Sequence, residues 1–258
     1  MRITGEGIWG WPDDREYARD LLRRVVELDV QLIDTADSYG PEISEYLIAE
    51  SLAPYSEDLV VATKGGLERL GPGKWPTNGR PQHLKVAIEN SLRRLEVDTI
   101  DLYQLHAIDD DVPLEDSLGA LKRAQEEGKI RYVGVSNFRV PEIERAREVV
   151  DVVTVQNRYN LVDRAYEDVV DYCEKHRIGF IPWYPLATGE LAADERLKDI
   201  AANHGATPGQ IALAWLLHRS PVMLPIPGTS SIEHLEENTA ARDIELSDEE
   251  FETLSSLS

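Results

Sequence analysis

The chain has 258 residues, with 48 Asp+Glu against 27 Lys+Arg for a formal net charge of −21. Its 42% hydrophobic content is enough for a sizeable core and too high for a disordered chain. The acidic excess argues against nucleic acid and anionic membrane surfaces as partners, and the lone cysteine, Cys173, excludes an intramolecular disulfide and a cysteine-based metal site.

Short apolar runs alternate with helix-period segments along the chain. Gly7–Trp9 reads as a first strand, followed by a helix over Asp14–Leu28 with Tyr17, Leu21, Leu22, Val25 and Val26 at helical spacing. Leu32–Thr35 and Leu59–Thr63 are the next two strands. A helix over Pro81–Leu95 opens on Pro and carries Leu84, Ala87, Ile88, Leu92 and Leu95 on one face. Strand Ile100–Leu105 leads to helix Leu114–Gly128, which ends in Gly. Strand Tyr132–Val135 leads to helix Pro141–Val149, and strand Val152–Gln156 to helix Tyr166–Arg177, where Cys173 is expected to be a buried thiol. Strand Gly179–Pro182 is followed by two helical patterns, Asp194–His204 and Pro208–Leu217. The eighth strand, Val222–Pro225, precedes helix Ile232–Ala241, and Asp248–Leu257 is the last helix.

Each strand after the first is almost continuously apolar, as in a parallel sheet buried on both faces. Eight strand–helix units in this length predict an α/β chain folded as a (β/α)8 TIM barrel. It is expected to be a single domain over residues 1–258, with an extra helix between strands 7 and 8. A doubly wound sheet would need a G-x-G-x-x-G turn into a helix after its first strand, and Gly5-Glu6-Gly7-Ile8-Trp9-Gly10-Trp11 has none. No apolar run reaches transmembrane length and MRITGEGIWG lacks a signal-peptide apolar region, so a cytoplasmic protein is expected.

In such a barrel the reactive groups sit where strands end. The second, third and fourth strands end in Asp34-Thr35-Ala36-Asp37-Ser38-Tyr39-Gly40, Thr63-Lys64 and Gln104-Leu105-His106. Singly, each residue has an ordinary structural use: Asp34 as a helix cap, His106 as a bonded core residue, Tyr39 as packing, Lys64 as a loop charge. Jointly, Asp34, Tyr39, Lys64 and His106 form a proton donor. An ammonium lowers a phenol's pKa, a carboxylate holds the ammonium, and an imidazole orients a carbonyl oxygen. No metal is implied, and the matching chemistry is hydride delivery by an organic cofactor.

Ser136 and Asn137 at the fifth strand end and Gln156 at the sixth suit a carboxamide, or equally a satisfied polar layer capping the barrel. After the seventh strand, Trp183, Tyr184, Pro185 and Leu186 open a loop running to Thr188 and Gly189, with Trp183 placed to stack on a flat ring or to pack in the core. After the eighth, Gly228, Thr229, Ser230 and Ser231 precede a helix start, where hydroxyls and backbone N–H groups cradle phosphate or simply cap the helix.

These motifs resemble the aldo-keto reductase family over essentially the whole chain, in its short-loop bacterial and archaeal form. The carrying segments are Asp34–Gly40, Ala62-Thr63-Lys64, Asp101–His106, Gly134–Phe138, Gln156-Asn157, and Pro225–Gly228 with Glu237-Asn238. The resemblance implies a barrel that binds an extended nicotinamide dinucleotide without a Rossmann fold, and NAD(P)H-dependent reduction of small aldehydes and ketones. It implies Tyr39 as general acid, Lys64 and Asp34 as its tuning pair and His106 as the carbonyl-orienting residue. Ser136, Asn137 and Gln156 would bind the carboxamide and Trp183 would stack on the nicotinamide. Gly228–Ser231 would line the phosphate end, and Glu237 and Asn238 would contact adenine. NADP(H) is the cofactor the resemblance favours.

Two departures bear on that expectation. Residues 222–241 contain no Lys or Arg for a 2′-phosphate, with Gly228 and His234 at the expected positions, which leaves room for NAD(H). The short sequence after the last helix implies an open substrate site walled by Trp9, Trp11, Trp75 and Tyr184. A monomer or weak homo-oligomer is expected. The alternative function is a nucleotide-sensing regulatory subunit with slow or vestigial turnover, as in relatives that serve potassium channels. A barrel isomerase or lyase is a third reading.

Overall fold

The computed structural model describes residues 1–187 and 194–257. The chain divides into two compact units, Met1–Thr154 and Val155–Ser258.

The first unit is built on parallel strands β1 (Leu32–Asp34), β2 (Val60–Gly65), β3 (Ile100–Leu105) and β4 (Ile130–Ser136), hydrogen-bonded in chain order. Asp34 stands in register with Ala62, Lys64 with Gln104, and Gln104 with Gly134. These strands are wrapped by α1 (Arg15–Glu27), α2 (Ile43–Leu52), α3 (Pro81–Leu95), α4 (Leu114–Glu126) and α5 (Val140–Arg147). Asp14 starts α1 by accepting the Tyr17 N–H. Pro81 starts α3, where its missing N–H costs nothing.

Beneath the strand ends runs a buried ionic network. Glu45 of α2 accepts the Thr63 hydroxyl at 2.5 Å and Arg94 Nε at 2.6 Å. Arg94 Nη1 also reaches Glu42 at 3.1 Å. This ties α2 and α3 to the residue just before Lys64.

Strand β5 (Val152–Arg158) carries the chain across the boundary between the units. The second unit continues with α6 (Glu167–His176), β6 (Gly179–Trp183), α7 (Glu195–Asn203), α8 (Pro208–Arg219), α9 (Ile232–Ala240) and α10 (Asp248–Ser255), with a 3₁₀ turn at Ala241–Asp243. Its core is aromatic: Tyr159 stacks on Trp215, which stacks on Phe251, and Phe180 meets Tyr159 edge-on. Cys173 is buried, as expected. Thr207 and Gln210 form a capping box for α8, and Ser247 and Glu250 one for α10. Among the described residues no helix is long and apolar enough to cross a membrane.

Predicted strands two to seven are β1 to β6, and the two helical patterns after the seventh are α7 and α8. Three expectations are corrected. Gly7–Trp9 is not a strand. Glu6–Ile8 forms a 3₁₀ turn in which Gly7 has φ +67°, and only Trp9 bridges to Gly40. The eighth strand is reduced to a parallel bridge of Met223 to Phe180, flanked by Phe180 N–H to Val222 O and Leu224 N–H to Phe180 O. Pro221, Pro225 and Pro227 have no N–H with which to extend that ladder. Helix α2 had no predicted counterpart. Ser44, Glu45, Leu47, Ile48 and Ala49 are all buried, so polar Ser44 and Glu45 face inward with the apolar residues and no amphipathic stripe marks the helix. Thr188 and Gly189 of the predicted loop, and Ser258, lie outside the described residues.

Candidate active site

The first unit brings Asp34, Tyr39 and Lys64 together. Lys64 is wholly buried, and its ammonium has three N–H donors with three acceptors around it. Nζ lies 2.6 Å from Asp34 Oδ2, 2.8 Å from the Thr35 carbonyl oxygen and 3.5 Å from the Tyr39 hydroxyl. The backbone sets this up: Asp37 N–H donates to the Lys64 carbonyl, and Ser44 N–H donates to that of Tyr39. The Tyr39 ring is flanked edge-on by His106, with centroids 5.9 Å apart, and by Trp75 at 6.4 Å.

Burial pulls the Lys64 pKa down, but the Asp34 carboxylate and Tyr39 outweigh it, and the net shift is upward. The expectation that the ammonium would depress the Tyr39 pKa holds only for that one contribution. Burial dominates, Asp34 reinforces it, and the phenol is raised overall. His106 is driven well below the ordinary histidine value, first by burial and then by the Lys64 charge. At neutral pH the set is therefore a phenol, an ammonium and a neutral imidazole. His106 Nδ1 is buried without a hydrogen-bond partner among the described residues.

Ser136 and Asn137 follow at the end of β4. Asn137 takes φ +64°, and its Nδ2 donates to the His106 carbonyl and to Ser136 Oγ, both at 3.1 Å. Trp9 and Trp75 are joined by a residue that sequence reasoning missed. Arg69 Cζ lies 3.6 Å from the Trp75 centroid and 5.4 Å from that of Trp9, while Nη1 donates to Ser38 O and Nη2 to Gly7 O, each at 3.2 Å. No motif marks such an arginine, because its partners come from three separate loops. Trp11 lies instead under Arg15, 4.0 Å from Cζ to centroid.

In the second unit Gln156 is buried in β5. Trp183 and Tyr184 are half-exposed around Arg158, whose Cζ is 5.7 Å and 5.0 Å from their rings. Asn160 Nδ2 donates to the Tyr184 carbonyl at 3.0 Å, Pro185 is buried and Leu186 is half-buried. Ser231 caps α9 by accepting His234 N–H, and Thr229 Oγ1 accepts Ser231 N–H at 3.0 Å. Gly228, Ser230 and His234 are exposed beside that helix start, and Glu237 and Asn238 are half-buried one to two turns on. Hydroxyls, open backbone and a helix N-terminus without a cation make a donor set that fits the phosphate and ribose of a dinucleotide.

Within the first unit, a buried ammonium in reach of a phenol and a carboxylate is the donor set of a proton-transferring oxidoreductase site. A sequence model described as "Aldo/keto reductase family" matches residues 1–258, and the chain belongs to that family. An uncharacterized oxidoreductase of Schizosaccharomyces pombe is 50% identical over 98% of this chain and 83% of its own length. Pyridoxine 4-dehydrogenase of Escherichia coli is 39% identical over 100% of this chain and 92% of its own. An aldo-keto reductase from Klebsiella pneumoniae, solved in complex with NADPH, superposes with a TM-score of 0.85 at 29% identity, covering 100% of this chain and 89% of that one. The chain is thus an NAD(P)-dependent oxidoreductase with the (β/α)8 fold of its family.

Proposed function

We propose that the protein reduces small aldehydes and ketones to alcohols, with Tyr39 as the proton donor, on a single domain spanning residues 1–258. The observation that carries this reading is the Lys64 ammonium shared among Asp34, Thr35 O and the Tyr39 hydroxyl in a fully buried setting. The bound nicotinamide would supply the hydride. The protein's own work is then protonic. Tyr39 holds its proton through neutral pH and donates it to the carbonyl oxygen as negative charge builds there. Lys64 stabilises the phenolate that remains, and Asp34 keeps Lys64 charged and in place. Neutral His106 offers an N–H to the same oxygen. Ser136, Asn137 and Gln156 would hold the carboxamide. Trp183, Tyr184, Pro185 and Leu186 would line the ring's side, and Gly228–Ser231, His234, Glu237 and Asn238 the phosphate and adenine end.

The substrate class that fits best is a flat, ring-bearing carbonyl. Trp9 and Trp75, held by Arg69, present aromatic surface next to Tyr39, and the 39%-identical relative carries the name of a dehydrogenase of a pyridine-ring alcohol. Pyridoxal and pyridoxine are the first pair to assay. Trp11, under Arg15, belongs to a more peripheral part of that wall.

NADPH and NADH should be accepted with little discrimination, since residues 222–241 offer hydroxyls and no Lys or Arg to a 2′-phosphate. Parallel titrations following tryptophan fluorescence test this. A preference for NADPH beyond about a hundredfold would contradict it. Steady turnover of an aldehyde panel by the wild type, lost in Tyr39→Phe with cofactor affinity kept, is the result expected of a reductase. Oxidation of bound NADPH in a single turnover only would favour the sensing subunit instead.

A further inference from the structure

Asp34 meets Lys64 through Oδ2, and its other oxygen, Oδ1, accepts Gln104 Nε2 at 3.1 Å. Gln104 is wholly buried. It stands in register with Lys64 on β2 and with Gly134 on β4, so its side chain shares their face of the sheet. A carboxylate only accepts, which fixes the amide with its NH2 toward Asp34. β4 is bare where the amide turns: a Cβ on Gly134 would come within 2.9 Å of Gln104 Cγ and 2.2 Å of Thr154 Oγ1.

We infer that Gln104 is a positioning residue for the proton donor, acting through Asp34 on Lys64 and through Lys64 on Tyr39. The inference rests on the proposed role of Tyr39. The three N–H bonds of Lys64 diverge from one nitrogen, so two of them set the direction of the third. The Thr35 carbonyl is fixed by the backbone. Asp34 is a side chain that can turn about its Cβ–Cγ bond, and pinning both of its oxygens, one on Lys64 and one on Gln104, stops that rotation. The contact most exposed to slack is the 3.5 Å one to Tyr39, already at the long end for a hydrogen bond. Without the amide donor the carboxylate turns, the ammonium follows it, and the phenolate loses its stabilising charge. Nothing in this chain of contacts needs Gln104 to touch substrate or cofactor.

Gln104→Met, which keeps volume but removes the donor, and Gln104→Glu, which keeps shape, test the inference together. Met should lower kcat by about tenfold while the affinity for NADPH, read by tryptophan fluorescence, stays within about twofold. Glu replaces the amide donor only while it holds its own proton. Its kcat should therefore match the wild type at the acid end and fall with rising pH across a range where the wild type is flat. A purely structural role would depress activity evenly at all pH values. Wild-type pH profiles in both variants would overturn the inference. If Gln104→Met does not fold, the profile of the shape-matched Gln104→Glu decides alone. Tyr39→Phe measured alongside separates the two layers. Retained turnover there removes the reading of Tyr39, whereas a dead Tyr39→Phe beside unaffected Gln104 variants removes only the inference about Gln104.

Discussion

Lys64 Nζ and Asp34 Oδ2 lie 2.6 Å apart with their side chains 0% and 6% exposed. A pair so buried contributes little net stability, because desolvating two charges offsets most of their attraction. Removing one partner is another matter, since the survivor is left charged in a dry setting. Lys64→Met should therefore lower stability by about 3–5 kcal/mol as well as abolishing turnover. Tyr39→Phe should abolish turnover at a cost of no more than about 1 kcal/mol, since only a long hydrogen bond is lost. Chemical denaturation set against steady-state rates distinguishes the two, and equal destabilisation by both changes would count against the proposed division of labour.

The pH dependence follows from the directions of the shifts. Burial, reinforced by Asp34, raises the Tyr39 pKa above the ordinary phenol value despite the Lys64 charge, so the acid form is present throughout the neutral range. Reduction should run flat between about pH 6 and 9 and fall only above about pH 10. Oxidation of the alcohol needs the phenolate and should climb with pH over the same span. His106 is held neutral, being driven well below the usual histidine range by burial and by Lys64, so no limb should appear near about pH 6.5. Profiles of kcat/KM in both directions check this. Loss of reduction as pH rises through the histidine value would mean that His106, not Tyr39, is the titrating donor.

Arg69 makes a different kind of claim. It spans three loops, donating to Gly7 O and Ser38 O and lying against Trp75, whose ring meets Tyr39 edge-on. Arg69→Ala should loosen the substrate wall and raise KM for an aromatic aldehyde by about tenfold, with kcat less affected. Arg69→Lys should recover only part, because an ammonium cannot both stack flat and fork to two carbonyls. A panel of aromatic and small aliphatic aldehydes reads the effect, and an equal rise in KM for both classes would argue for general loop disorder.

Much of this was legible in the sequence, and the exceptions have physical causes. Asp34, Lys64 and His106 could be placed because each stands within a residue of where a mostly apolar run ends, and the ends of parallel strands are where a barrel places its reactive groups. Tyr39 came with them through its short spacing from Asp34. Gln104 stood in plain view one residue from a strand end, but its partner was chosen by register across two strands, which spacing along one chain does not reveal. Helix α2 was missed because it buries Ser44 and Glu45 along with Leu47 and Ile48, so inward and outward faces cannot be told apart by polarity. The sign of the Tyr39 shift was missed because residue types name the neighbouring charge and not the extent of burial.

Asp37 carries a stability prediction of its own. It is buried beside Glu45, and one carboxyl oxygen has no hydrogen-bond partner among the described residues. Burial first, and then the Glu45 charge, push its pKa well above the ordinary aspartate value, with Arg94 opposing. A carboxyl raised in the folded state favours folding while protonated, and that advantage is lost as pH rises from the unfolded value through the folded one. Asp37→Asn removes the titration, so it should stabilise the protein by about 1–3 kcal/mol at neutral pH and by nearly nothing below about pH 4. Urea melts at the two pH values measure the difference. A variant equally stabilised at both would show that charge is not the cause.

Gly134 tests the Asp34–Lys64–Tyr39 geometry from outside the set. An added Cβ would press on Gln104 Cγ at 2.9 Å and on Thr154 Oγ1 at 2.2 Å, and β4 cannot retreat without breaking its register with β3. The Thr154 hydroxyl can turn away by rotating about Cα–Cβ, but Gln104 Cγ must give as well, and its shift carries the amide off Asp34. Gly134→Ala should therefore cost about 1–3 kcal/mol of stability through overpacking and lower kcat by about the same factor as removing the amide. The two changes act on one contact, so the double variant Gly134→Ala/Gln104→Met should be no slower than the worse single one. Additive losses in kcat would place the effect of Gly134 somewhere other than on Gln104.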